Sequence, residues 1–134
     1  MARKFAEDTK VPLSQSLDEI RRTVARYEGE QFLHAAMDDR LIVGFTKEGR
    51  QVRFQVSQDP ADAQTNRRLA RALLLVLKAK LEAVASGVSI FDDEFLANIV
   101  MPDGKLVATH IRPRLVAAYA NSGEIPALLP DFSQ

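Results

Sequence analysis

Residues 31–56, QFLHAAMDDRLIVGFTKEGRQVRFQV, divide into three short apolar-rich segments, Gln31 to Met37, Arg40 to Thr46 and Arg50 to Val56. Asp38-Asp39 separates the first two and Lys47-Glu48-Gly49 the second two, with the Asp and Gly residues that tight turns favour. Strands joined by turns this short pair antiparallel, so the stretch predicts a three-stranded meander. The third segment alternates most cleanly: Val52, Phe54 and Val56 share one face, and Gln51, Arg53 and Gln55 share the other. One sheet face should therefore cover a core that takes in Phe32, Phe45 and Phe54, while the other stays polar and open.

On the N-terminal side, Ser16 and Glu19 have capping-box spacing and Leu17, Ile20, Val24 and Tyr27 follow at helical intervals. A first helix is predicted over about 17–28, with Gly29 as its stop and residues 1–13 as a loose arm. On the C-terminal side, Asp59-Pro60, Asp62 and Thr65 are all candidate starts for a long helix that runs to Ser86 before Gly87, about 60–86. Its apolar stripe is read as Leu69, Leu73, Val76, Leu77, Leu81 and Val84, with Arg67, Arg71 and Lys78 opposite, around Leu74. Leu74, Leu75 and Ala79 widen the apolar surface beyond what one sheet needs, so the C-terminal segment is expected to cover that helix. Ser89 and Asp92 can cap a third helix over about 90–100, containing Phe91, Phe95, Leu96 and Ile99. Pro102-Asp103-Gly104 forces a turn; a last helical stretch, Lys105 to Asn121, should kink or restart at Pro113 and end at Gly123, leaving Glu124 to Gln134 as an extended strap. The fold class is α+β: a three-stranded antiparallel meander packed on a long helix, in the order α-β-β-β-α, followed by two or three C-terminal helices. No repeat or linker divides the chain, so 1–134 reads as one domain, with 14–86 as the α-β-β-β-α unit and 87–134 as its helical cover and tail.

With 134 residues and 46% hydrophobic content the chain can build one core unaided. Eighteen basic and eighteen acidic residues cancel, so no global field draws the protein to nucleic acid or anionic membrane; only a local patch could do so. The absence of cysteine removes disulfides, thiolate nucleophiles and cysteine-based zinc sites. No apolar run reaches the length of a signal peptide or a membrane span, so a cytoplasmic protein without membrane contact is expected.

No catalytic constellation emerges. Asp92, Asp93 and Glu94 are adjacent, and neighbours on a helix point about 100° apart, so the three cannot converge on one metal. Two histidines, His34 on a strand and His110 in a helical region, are too few for an all-histidine zinc site. No glycine-rich phosphate loop or nucleophile signature is present, so neither an enzyme nor a cofactor is expected. Lys80, inside the apolar stripe, reads as snorkelling along the core edge in preference to an internal ion pair with the acidic segment.

Charge is strongly polarised: Arg67, Arg68, Arg71, Lys78 and Lys80 occur in residues 67–80 without an acid, and Asp92, Asp93, Glu94 and Asp103 in residues 89–104 without a base. The candidate nucleic-acid contacts are therefore Arg67, Arg68, Arg71 and Lys78, with Arg50 and Arg53 assisting from the sheet. Asp92, Asp93 and Glu94, or the apolar surface of the long helix, are the candidate contacts for a protein partner, and self-association into a homo-oligomer is expected.

Two resemblances bear on this. The order α-β-β-β-α over residues 16–86, with a basic start to the second helix, resembles the double-stranded-RNA-binding domain in topology alone. Arg67-Arg68-Leu69-Ala70-Arg71 echoes that domain's phosphate-binding motif only loosely, and its Gly-Pro-x-His loop pattern is absent, so double-stranded RNA is not implied as the ligand. More of the chain resembles a family of small uncharacterised proteins encoded in tailed phages and bacterial prophages. The residues that carry this are Ala72 to Gly104, with LLLVLKAKLEAVASGVSIFDDEFLANIVMPDG, the ending PRLVAAYANSGEIPALLPDF, and Tyr27, Gln31-Phe32 and Val43 to Phe54 in the middle. Where that family carries a longer insertion, this chain has only Ser57 to Asn66. The resemblance implies context alone: a phage product acting in the host cytoplasm near genes of DNA replication or recombination. With the basic stripe of the long helix, the expected role is a non-catalytic nucleic-acid-binding accessory factor or, alternatively, a protein-binding module that modulates a host protein such as a defence system.

Overall fold

Strands β1 (Glu30–Ala36), β2 (Arg40–Lys47) and β3 (Arg50–Ser57) form the meander, antiparallel in the order β1-β2-β3, in a computed structural model that describes residues 11–121. Glu48 and Gly49 both take positive φ, 51° and 73°, the mirror-image turn whose twist matches that of the strands it joins. Lys47 thereby faces Arg50, and the register places Phe45 opposite Val52, Val43 opposite Phe54 and Leu41 opposite Val56, all on the core face. At the other end, the Met37 N–H donates to the Arg40 carbonyl at 2.8 Å across Asp38-Asp39. β1 carries one extra residue between Glu30 and Leu33, a bulge at which Gln31 has φ 50°.

Helix α1 (Leu13–Arg26) and helix α2 (Ala63–Ala85) lie side by side and run in the same direction, since Glu19 meets Arg71 and Tyr27 meets Glu82. Both bury apolar stripes in the core of the sheet: Leu17, Ile20 and Val24 from α1, and Ala70, Leu73, Leu74, Leu77 and Leu81 from α2. Gly29 lets the chain turn closely under them, because a Cβ there would lie 2.4 Å from Val24 Cγ1.

Two helical expectations need correction. α1 starts four residues earlier than its capping pattern predicts, after Pro12; Ser16 is buried within it and its Oγ has no hydrogen-bond partner. Burial of the Leu13 turn against the core outweighs the local capping signal. α2 begins after Asp62, whose side chain accepts the Thr65 N–H, and it sits about 50° around its axis from the predicted stripe. Leu74 is buried and Val76 is 46% exposed, because α2 has to face α1 as well as the sheet.

The third helix is much shorter than predicted. α3 (Phe91–Glu94) gives way to a 3₁₀ turn, Leu96–Asn98, and then to extended backbone. Ile99 bridges Val52, the Val100 N–H donates to the Gln51 carbonyl at 2.8 Å, and Asn98 Nδ2 donates to the Arg53 carbonyl at 3.0 Å. This segment covers the open edge of β3, a demand of the sheet that no local helical pattern registers. Phe95, fully buried, is its anchor: it meets Phe45 and Phe54 edge to face at 6.0 and 6.1 Å and stacks on Phe91 at 4.7 Å. After the turn at Gly104, φ 83°, helix α4 (Val107–Ala120) runs through Pro113 without restarting. α3 packs on α2, whereas α4 packs on the 3₁₀ turn. The expected N-terminal arm and C-terminal strap fall largely or wholly outside the described residues.

Candidate nucleic-acid interface

Packing α1 beside α2 makes a helical layer whose charge the linear sequence does not display. The two helices carry eight bases and three acids between them, so this layer is strongly positive in a chain of zero net charge. Arg21, Arg22 and Arg26 come from α1, and Arg67, Arg68, Arg71, Lys78 and Lys80 from α2. The three α1 arginines are residues that sequence reasoning missed; their signal was a polar helix face next to two acids, unremarkable until α2 is beside it.

The layer is not uniformly available. Arg71 pairs with Glu19 across the α1–α2 seam. Lys80, contrary to the snorkelling expectation, makes an ion pair with Glu94 at 3.2 Å, donates to the Glu94 carbonyl at 2.8 Å and lies 5.6 Å over the Phe95 ring. Arg67 donates to Gln64 Oε1 at 2.7 Å, and its buried Nε has no partner. Arg21 and Arg22 share Asp18, and their guanidinium groups, Arg22 foremost, hold its carboxyl below the usual carboxylate range. Two cations around one anion still leave a positive excess. Arg26, Arg68 and Lys78 make no hydrogen bond or ion pair among the described residues.

The other predicted contacts go elsewhere. Arg50 forks onto Asp92, with both hydrogen bonds at 3.2 Å, and Arg53 donates to the Gly104 carbonyl at 3.1 Å. Both arginines thus tie β3 to the C-terminal cover. Of the acidic trio, Asp92 and Glu94 are held by Arg50 and Lys80, while Asp93 is exposed and has no such partner. The polarised charge of residues 67–104 is in good part consumed inside the fold.

The fold also limits where an anion can approach. The β1–β2 turn lies beside the start of α2, since the Gln58 N–H donates to the Asp39 carbonyl at 2.8 Å. Asp38, Asp39, Asp59 and Asp62 therefore share that end of the molecule. Asp62 is fixed as a cap, its carboxyl held below the usual range by the Thr65 hydroxyl and N–H. These acids disfavour an anion at the α2 N-terminus, and Arg68 partly offsets them, its charge adding to the lowering of the Asp62 carboxyl; Lys78 and the outer face of α1 lie farther from them.

His34 is exposed on β1, and His110 Nε2 lies 2.7 Å from Asp103 Oδ2. Among the described residues no group of three His, Asp or Glu side chains is placed to hold a metal ion, and no helix is long and apolar enough to cross a membrane. Comparison of the chain with protein-family models, with curated proteins and with solved structures finds no match.

Proposed function

We propose that the protein is a non-catalytic accessory factor that binds nucleic acid through the outer face of its two long helices. The observation that carries this is the charge segregation: eight bases against three acids on α1 and α2, within a neutral chain. Arg68, Lys78 and Arg26 are the phosphate contacts, Arg21 and Arg22 add the excess over Asp18, and Arg67 and Arg71 brace the layer. Arg50 and Arg53 act as fasteners of the C-terminal cover. Taken with the resemblance to phage and prophage proteins, the setting is DNA replication or recombination in the host cytoplasm. Docking of a protein on the acidic segment is the weaker reading, since Arg50 and Lys80 occupy two of its three carboxylates.

The test is fluorescence anisotropy with labelled single- and double-stranded DNA and RNA. Contacts with about four phosphates predict a loss of affinity on the order of a hundredfold between about 50 and 200 mM salt. The double variant Arg68→Glu with Lys78→Glu should abolish binding, and Arg50→Gln should leave it nearly unchanged. No binding at the lower salt, or equal losses in both variants, refutes the assignment.

A further inference from the structure

α4 is thinly anchored for a helix of its length, held to the rest of the fold mainly through Val107 and the partly buried Ile111. Of its 14 residues only Val107 is buried, and Pro113 removes a backbone hydrogen bond from its middle. A helix of this length does not hold itself together in water without packing along one face. Yet Leu115, Val116 and Tyr119 are 44%, 65% and 86% exposed. At about 100° per residue they fall with Ala108, Ile111 and Arg112 in a single stripe. The stripe borders a groove of about 450 Å³, with Leu96 and Ala97 on one wall and Ile111 and Leu115 on the other.

The lips of this groove carry opposite charges. Asp93 stands on the α3 side and Arg112 on the α4 side. Neither makes a hydrogen bond or ion pair among the described residues. A surface that joins an apolar floor to one unpaired anion and one unpaired cation is complementary to itself under a two-fold rotation. We infer that a second copy of the chain covers this groove, with α4 against α4 and each copy's Arg112 opposite the other's Asp93. The interface lies on the C-terminal cover, away from the basic outer face of α1 and α2, and forms without nucleic acid.

Sedimentation equilibrium of the full chain alone, up to about 100 µM, tests it. The wild type should dimerise. Arg112→Glu places like charges at both symmetric contacts and should weaken the dimer about tenfold or more, whereas adding Asp93→Lys to it should restore association. Tyr119→Ser, at a side chain too exposed to matter to the monomer fold, should weaken it as well. A monomer at every concentration overturns the inference. So does a dimer indifferent to both Arg112→Glu and Tyr119→Ser, and a charge swap that fails to restore association overturns the pairing of Arg112 with Asp93.

Discussion

Phe95→Ala probes whether the C-terminal cover is part of the same cooperative core as the meander. Phe95 is fully buried, stacked on Phe91 and in edge-to-face contact with Phe45 and Phe54, with the Lys80 ammonium 5.6 Å from its ring centre. Truncating a buried Phe costs about 3–5 kcal/mol in lost transfer energy and residual cavity. Three aromatic contacts, each worth about 0.5–1.5 kcal/mol beyond area, place this site near the upper end, at about 4–5 kcal/mol. That is a large part of the roughly 5–15 kcal/mol that holds a domain folded. With a urea slope of about 2 kcal/mol/M the unfolding midpoint, followed by circular dichroism, should fall by about 2 M. Leu96→Ala, one residue away and 45% exposed, should cost less than about 1 kcal/mol. A loss below about 1.5 kcal/mol for Phe95→Ala would show that β1–β3 and the two long helices stand without the cover, and the account of the core would be wrong.

Two further predictions concern polar groups. Ser16→Ala should leave stability unchanged or raise it by up to about 1 kcal/mol, because the buried Oγ has no partner to lose; a helix cap at this position would instead lose about 1 kcal/mol, so thermal unfolding separates the two. The Asp103 carboxyl is held below its ordinary value of 3.8, first by the Lys105 N–H and more weakly by His110. Its contribution is present above the unfolded-state value and is lost as pH falls through the lower folded value, so Asp103→Asn should flatten the acid limb of the stability curve below about pH 4, and an unchanged limb would refute the linkage.

The meander was legible because its turns and alternation are local: Glu48-Gly49 can only make a tight reversal, and Val52, Phe54 and Val56 show their face by period alone. The long helix was legible for the same reason, from Asp62 as a possible cap to Gly87 as the stop. Helix orientation was not, because several faces of α2 are apolar enough to bury. Which of them turned inward depended on α1, whose approach buried Leu74 and left Val76 at the surface.

The candidate site shows the same division more sharply. Sequence located the basic residues of α2, but counting charges along the chain could not tell a free arginine from a paired one. Only the packed structure sets Glu19 on Arg71, Asp92 on Arg50 and Glu94 on Lys80, partners separated by 14 to 52 residues. It also brings Arg21, Arg22 and Arg26 beside α2, completing a positive layer from two helices that are 36 residues apart in the chain between Arg26 and Ala63. Local sequence determined which segments become strands and helices, since hydrogen bonding and side-chain period act over a few residues. Tertiary packing decided which charges remain unpaired, since an ion pair forms wherever the fold brings two groups within a few ångströms, whatever their distance along the chain.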